Sequence, residues 1–496
     1  MKDQPLDYEP VRRSPISADS SVKVWSPAVS GIGGKPSGDQ SEIPKESTIK
    51  KADPIEPVSI GVIRRGHFLS YLGLFLFTAV IYFRPYELIP ALRGATTMTF
   101  WIAVATLAIF VFSQFTVEGN LTARPREVKL ILLLAVTALL SVPFADDKTR
   151  SWNAFSDYLK VIVMFVVMVN VVRTRWRLQG LLFLALAVSC FLSANAFLDY
   201  GAGIFKSDGY RVVGVIGNMF SNPNDLALHL VTIAPIAIGL SLGARNIFLK
   251  MVYGLAALGM VGAITLTYSR GGFLGLAAAA IFLAWRLARR QRVLTVAAMA
   301  IAIVLFISLA PGGYGTRVSG IVGQHDGSAT ARTDDLKRSV LVMLRHPLLG
   351  VGIDNYVLRS NNNTATHNAY TQIGAEMGVF AMVLYTLLVI SPFKRLRQIE
   401  RETVESRRKD ARFYYLAVGL QASLIGYMVS SFFASVSYLW NVYYLVGYAF
   451  CLHRMYVARL GSPIARDSHL ILPTPQNRPA HGPDFNPLQE QTERVF

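Results

Sequence analysis

The sequence has little charge and almost no cysteine. Only 16% of its 496 residues are charged, whereas soluble domains average about a quarter, which argues against an ordinary soluble protein. The two cysteines, Cys190 and Cys451, both lie in apolar stretches. This placement argues against a disulfide framework and against a cysteine metal site.

Long apolar runs occupy most of the chain, and 52% of all residues are hydrophobic. Runs of about twenty apolar residues are long enough to cross a bilayer as helices. The sequence therefore predicts an all-α polytopic membrane protein with about twelve transmembrane helices. The predicted spans are 67–83, 98–116, 128–144, 158–172, 178–198, 226–243, 248–268, 272–289, 292–310, 369–392, 412–434 and 438–457.

The net charge of +18 is distributed by membrane side and does not indicate nucleic-acid binding. With a cytoplasmic N-terminus, the inner short loops hold most of the basic residues: Arg64, Arg65, Arg124, Arg126, Lys129, Arg173, Arg175, Arg177, Arg245, Lys250 and the clusters 286–292 and 394–412. The outer short loops hold fewer: Arg84, Arg93, Lys148, Arg150, Lys206, Arg211 and Arg270. This bias is typical of membrane topology and predicts that both termini are cytoplasmic.

Polar segments flank the predicted membrane domain at 67–457. Residues 1–66 and 458–496 are rich in proline and polar residues and are predicted to be disordered tails. One long outward loop, 311–366, interrupts the spans. Within it, Thr333 is predicted to cap an amphipathic helix over about 334–346, which would lie on the outer membrane surface or over the bundle.

Three predicted spans, the sixth, eighth and tenth, should begin on the outer side. Asn222-Pro223-Asn224 gives the sixth span a capping side chain and a proline in its first turn. Ser269 should cap the eighth span, and His367-Asn368 opens the tenth. The free N–H groups at these helix starts favour an anionic ligand such as a phosphate.

Arginines accompany these helix starts. Arg211, Arg270 and Arg332 suit a diphosphate because the guanidinium group stays charged and binds phosphate oxygens in pairs. Arg317 lies in the same long outer loop as Arg332, and its role is left open. An interfacial arginine is often only an anchor for lipid headgroups, and this interpretation is favoured for Arg84, Arg93 and Lys148. Arg270 is different, because a charge wedged between two spans normally marks a functional site.

His367 is a candidate for acid–base chemistry, although it could be only a polar cap. Glu376 lies about 13 Å further along the same helix, so it cannot orient His367 and better suits a partner on another helix. The pairs Asp146-Asp147 and Asp334-Asp335 are explained by solvated loop and helix-start positions. The sequence therefore predicts no metal site and no cofactor.

The residues around these positions resemble the O-antigen ligase and polymerase family of bacterial envelopes. The resemblance rests on Arg211 with Asn222-Pro223-Asn224, on Tyr268-Ser269-Arg270-Gly271-Gly272-Phe273-Leu274-Gly275-Leu276, on Arg332 through His346-Pro347-Leu348-Leu349-Gly350-Val351-Gly352, and on His367-Asn368-Ala369-Tyr370 with Glu376-Met377-Gly378. It covers about residues 205–390.

The resemblance implies a metal-independent, inverting glycosyltransferase of the bacterial inner membrane with a periplasmic active site. Its donor would be a glycan on undecaprenyl diphosphate, and its acceptor a hydroxyl on another glycan, on lipid A core or on a protein. By position, Arg211, Arg270 and Arg332 would hold the diphosphate, and His367 would act at the acceptor hydroxyl. The supporting residues would be Ser269, Asn222, Asn224, Tyr370 and Glu376.

Other functions stay open at this point. A polymerase of the same family would use the same donor and extend the glycan itself. A transporter or flippase would bind a lipid-linked glycan without breaking a bond, but it should contain related halves with matched broken helices, and no such repeat is evident. A sensory protein with a ligand-binding outer loop is a third alternative.

Overall fold

The computed structural model describes residues 67–460, apart from 93, 96, 119–121, 123–124, 208–209, 217–219, 289–292, 294–326, 361–362 and 406. These residues belong to a single compact unit within Ser59–Phe496. The predicted tail at 1–66, the predicted tail at 458–496 from residue 461 onwards, the predicted span at 292–310 apart from residue 293, and Arg317 lie outside the described residues. Residues 458–460, predicted as the start of the second tail, instead continue the last helix, which ends at Leu460.

The described part of the chain is helical and contains no strand beyond an isolated bridge between Ser207 and Arg211. The helices are α1 (Phe68–Phe83), α2 (Pro85–Leu88), α3 (Met98–Glu118), α4 (Arg126–Ser141), α5 (Lys148–Val171), α6 (Arg175–Gly201), α7 (Pro223–Gly243), α8 (Ile247–Leu266), α9 (Arg270–Leu287), α10 (Gly327–Arg345), α11 (Tyr356–Arg359), α12 (Ala369–Ile390), α13 (Pro392–Thr403), α14 (Arg407–Ser430) and α15 (Trp440–Leu460). Short 3-10 turns follow at Pro90–Leu92, Val142–Phe144 and Ser431–Phe433.

Ten helical segments in the described ranges are long and apolar enough to cross a membrane. They correspond to ten of the twelve predicted spans, and the prediction of an all-α polytopic membrane protein is confirmed. The predicted last span, 438–457, is also a helix, α15, but tyrosines and the polar residues Asn441, His453 and Arg454 lower its hydropathy below that of the ten. Most of α15 is nevertheless buried among other helices.

Three helices, α7, α9 and α14, approach each other closely at small residues. A Cβ atom on Gly239 of α7 would lie 2.6 Å from the Tyr415 carbonyl oxygen of α14. A Cβ atom on Gly275 of α9 would lie 2.7 Å from the Gly426 carbonyl oxygen. Glycine at these positions therefore lets the helix backbones come together.

The outer-loop helix differs from its prediction at one end. Helix α10 begins at Gly327, so Thr333 lies inside it and does not cap it. Alanines at 329 and 331 favour helix, which allows α10 to extend towards the N-terminus of the predicted segment. Its buried Val342 packs with Ala375 of α12, so the helix lies against the bundle.

Helix α12 has a kink at Gly378, and the turn that follows α10 packs against this kink. Gly378 has φ 90° and ψ 170°, a conformation that is essentially restricted to glycine. A Cβ atom there would lie 2.3 Å from the Leu348 carbonyl oxygen, and Val379 N–H donates to the Pro347 carbonyl oxygen. Gly350, at φ 66°, meets the backbone of Glu376 from the other side. This contact ties the outer loop to the helix that begins after His367.

We expect Gly378→Ala to lower the free energy of unfolding by at least about 2 kcal/mol, because the substitution adds both backbone strain and a steric clash. Gly201→Ala is the matched control, since a Cβ atom at Gly201 meets no atom within 4 Å. Thermal unfolding of the two purified variants in the same detergent would measure the difference. Equal stability would show that the kink does not require glycine.

Candidate functional site

One polar cluster joins the start of α7 to the start of α9. Asn222 caps α7 by accepting from Asn224 N–H at 2.9 Å, with Pro223 as the first helical residue, and Ser269 caps α9 by accepting from Gly272 N–H at 3.2 Å. Asn224 Oδ1 accepts from the Ser269 hydroxyl at 2.8 Å and from an Arg211 terminal nitrogen at 3.0 Å. The two predicted caps are confirmed, and one amide oxygen connects them.

Arg211 is itself positioned from two sides. Its Nε donates to the Thr267 carbonyl oxygen at 2.9 Å, and its side chain is buried. Thr267 belongs to the turn between α8 and α9, in which Tyr268 has a positive φ of 50°. The turn thus presents one carbonyl to Arg211, and the half-buried Arg270 follows at once as the first residue of α9.

His367 precedes α12 in the same way that Tyr268 precedes α9. Its φ is 51°, and the next residue, Asn368, caps the helix by accepting from Tyr370 N–H at 2.9 Å and from Thr371 N–H at 3.0 Å. The backbone N–H of His367 donates to the Ser435 hydroxyl at 2.8 Å. Positive φ is uncommon for residues other than glycine, and it concentrates at functional sites.

The imidazole of His367 is partly buried and lies near the positive charge of Arg332 and the negative charge of Asp335. Burial lowers its pKa from the ordinary value near 6.5, and the charge of Arg332 lowers the pKa further. The carboxylate of Asp335 opposes both effects. Lowering the pKa of a histidine favours the neutral ring, so burial and Arg332 both favour a neutral imidazole at His367.

The segment after α14 contacts the starts of both α9 and α12, so the Arg211–Asn224–Ser269 cluster and His367 lie at the same end of the bundle. Phe433 packs against Gly271 of α9, and the neighbouring Phe432 ring lies 6.4 Å from the Tyr370 ring of α12. Ser435, two residues on, holds His367. Arg211, Arg270, Arg332 and His367 therefore occur at one end of the helices and not at opposite ends.

Glu376 and Tyr370 occupy positions that support the helices. Glu376 is buried, and its Oε2 accepts from the Tyr438 hydroxyl at 2.6 Å. This contact is with another part of the chain, as expected from its distance along α12. The Tyr370 hydroxyl lies 3.4 Å from the Met428 carbonyl oxygen at the end of α14.

The sequence analysis missed two residues that interact with His367, Ser435 and Asp335. Ser435 sits in a short turn between predicted spans, and nothing local to it indicates a contact with a histidine 68 residues away. Asp335 was interpreted as a solvated helix-start residue. Its carboxylate instead accepts from the Thr364 hydroxyl at 3.0 and 3.1 Å and faces His367.

The remaining acidic pairs have protein partners. Asp146 binds Arg359 through two contacts of 2.7 and 2.6 Å, which hold the pKa of Asp146 below its usual value. Asp147 caps α5 by accepting from Arg150 N–H at 3.0 Å. Within the described ranges, no group of three or more histidine, cysteine or acidic residues could hold a metal ion.

A cavity of about 940 Å³ opens at the same end of the bundle. Its lining combines aromatic rings with polar groups: Tyr86, Phe100, Asn153, Asp157, Tyr438 and Trp440. Tyr438 and Trp440 belong to the segment that also contains Ser435, so one stretch of chain contacts both His367 and the cavity.

Comparison with known proteins gives one family match. Residues 255–386 match the family model described as O-Antigen ligase. The matched segment contains Ser269, Arg270, Arg332 and His367, whereas Arg211 and Asn224 precede it. No curated protein matches the chain.

A structural likeness was found to a chain from work titled "Structural coordination of polymerization and crosslinking by a peptidoglycan synthase complex". The identity is 17%, the TM-score is 0.39, and the match covers 66% of this chain and 96% of the other. This degree of likeness is too low to establish a common fold.

The charges around His367 predict opposite shifts in two variants. Arg332→Gln should raise the pKa of His367, because a neighbouring positive charge is removed, and Asp335→Asn should lower it further. A pH titration followed by NMR of protein with labelled histidine would measure both shifts. Only 8 histidines occur, and the signal lost in His367→Asn identifies the resonance. Shifts of the same sign in both variants would contradict this arrangement.

Proposed function

We propose that this chain, whose residues 255–386 match the O-antigen ligase family model, transfers a glycan from undecaprenyl diphosphate to an acceptor hydroxyl. The observation that carries the proposal is that Asn224 joins the starts of α7 and α9, while the segment 433–435 connects the start of α9 to His367 at the start of α12. The proposed class is a metal-independent, inverting membrane glycosyltransferase that acts as a ligase.

The donor diphosphate is assigned to Arg211, Arg270 and Arg332. Asn224 and the Thr267 carbonyl orient the guanidinium group of Arg211, so less side-chain entropy is lost when phosphate oxygens bind. Arg270 lies in the first turn of α9, where backbone N–H groups and the helix dipole also favour an anion. Binding becomes stronger as negative charge accumulates on the departing diphosphate, and this difference lowers the barrier.

His367 is assigned to the acceptor. Its neutral imidazole takes the proton from the acceptor hydroxyl, and that oxygen forms a bond to the anomeric carbon of the donor sugar. The bond between this carbon and the diphosphate oxygen breaks at the same time, on the opposite face of the sugar. The product has the inverted anomeric configuration, and undecaprenyl diphosphate leaves with the electron pair.

We infer the orientation of the protein in the membrane from its distribution of basic residues. The end of the bundle away from His367 contains Arg173, Arg175, Arg245 and Arg286, so this end would face the cytoplasm by the positive-inside rule. The proposed active site then faces the periplasm of the bacterial inner membrane. The cavity lined by Tyr86, Asn153, Asp157 and Trp440 would accommodate sugar units, since aromatic faces and polar groups together suit carbohydrate surfaces.

His367→Ala should abolish glycan transfer while leaving expression and folding intact. Purified protein in lipid would be given a labelled glycan on undecaprenyl diphosphate together with an acceptor, and transfer would be measured. General-base loss typically costs about 10²–10⁴-fold in rate. His346→Ala is the matched control, because His346 is exposed and follows α10 at the same end. Undiminished transfer by the His367 variant would rule out its catalytic assignment.

Arg270→Lys keeps the charge but removes the planar fork of donors. We expect transfer to fall by about tenfold or more, because one ammonium group cannot replace two parallel contacts to phosphate oxygens. Arg345→Lys, at the exposed end of α10, should leave transfer unchanged. Wild-type activity in Arg270→Lys would leave this residue only a bulk electrostatic role.

The product of the same assay separates a ligase from a polymerase. A ligase attaches the complete glycan once to a different acceptor, whereas a polymerase lengthens the glycan on its polyprenyl carrier. Gel separation of the labelled products distinguishes one discrete conjugate from a ladder of increasing length. A ladder would replace the ligase assignment with the polymerase.

A further inference from the structure

A second cavity, of about 1050 Å³, lies at the end of the bundle away from His367. The turn between α5 and α6, the turn between α7 and α8, the start of α14 and the end of α15 contribute to it. No step of the proposed glycan transfer uses this cavity.

The lining of this cavity has charge of one sign. Arginines from four separate parts of the fold line it, and none of its described lining residues is acidic: Arg173, Arg175, Arg245, Arg412 and Arg459. Arg175, Arg245 and Arg412 therefore bring positive charge to one cavity from three separate parts of the fold.

The interior of the cavity is apolar and continues into the membrane-spanning part of α6. Leu178, Leu182 and Phe183 line it together with Arg175. Phe183 lies eight residues beyond Arg175, which corresponds to about 12 Å along the helix. Phe183 is 66% exposed, so the cavity continues onto the surface that would contact lipid chains. A basic rim above an apolar groove matches the two parts of a phospholipid.

We propose that this cavity binds an anionic phospholipid. The headgroup phosphate lies among Arg175, Arg245 and Arg412, whose guanidinium groups can bind phosphate oxygens in pairs. One acyl chain follows Leu182 and Phe183 towards the centre of the bilayer. Basic pockets between membrane helices on the cytoplasmic side are known to bind acidic lipid headgroups. The site is separate from the proposed glycan-transfer site and does not depend on it.

Native mass spectrometry of the full-length protein, released from membranes of defined composition, tests the proposal. The probe is phosphatidylglycerol, with phosphatidylcholine as the neutral comparison. We expect wild-type protein to retain phosphatidylglycerol at least about tenfold more strongly. The double variant Arg175→Gln with Arg245→Gln should lose about tenfold in retention, since each arginine near an anionic lipid contributes substantially to binding.

The matched control is Arg397→Gln with Arg401→Gln, two exposed arginines of α13 at the same end but outside the cavity. This control changes the net charge equally and should retain the lipid. Equal losses in both double variants would overturn the proposal in favour of bulk charge attraction. Displacement of the lipid by millimolar inorganic phosphate would also overturn it, because the ligand would then be a soluble anion.

Folding is checked separately. Arg245→Gln alone changes one exposed residue in a turn and should lower retention by several-fold without altering the unfolding temperature in detergent. Unchanged retention in this variant and in a well-folded double variant would also contradict the proposal. Glycan transfer by the same proteins reports independently on the other end of the molecule.

Discussion

The candidate site depends on one oxygen atom, Oδ1 of Asn224. It accepts from the Arg211 guanidinium and from the Ser269 hydroxyl, while Ser269 also caps α9. Asn224 therefore links the orientation of an arginine to the start of two helices. An amide suits this position, since its oxygen accepts two hydrogen bonds without adding negative charge beside a proposed anion site.

This link is possible because the helices beneath it are closely packed. Glycines at 239, 275 and 426 allow α7, α9 and α14 to approach at backbone distance. The segment that leaves α14 then passes between the start of α9 and the start of α12, with Phe433 against Gly271 and Ser435 bonded to His367. Packing within the membrane thus sets the positions of polar groups at its edge.

The two proposed anion sites lie at opposite ends of the bundle. At one end, Arg211 and Arg270 lie next to helix starts, and at the same end the charge of Arg332 helps to lower the pKa of His367. At the other end, arginines surround a cavity that is apolar inside. The first arrangement suits a diphosphate whose charge changes during reaction, and the second suits a lipid whose charge stays constant. In both, the arginines converge from separate parts of the chain, so neither group is a simple run of basic residues.

The sequence by itself determined most of the membrane-spanning helices and the starts of α7, α9 and α12. The apolar runs predicted ten described spans, and Asn222, Ser269 and Asn368 begin α7, α9 and α12, because a cap is satisfied by residues only two or three positions away. The start of α10 was missed, since Thr333 resembles a cap but the preceding residues continue the helix. Only the tertiary structure decided that Asn224 meets Ser269, that Ser435 holds His367 and that Asp335 faces the imidazole. These contacts join residues on different helices, and the rotation and depth of each helix are set by packing that no local pattern records.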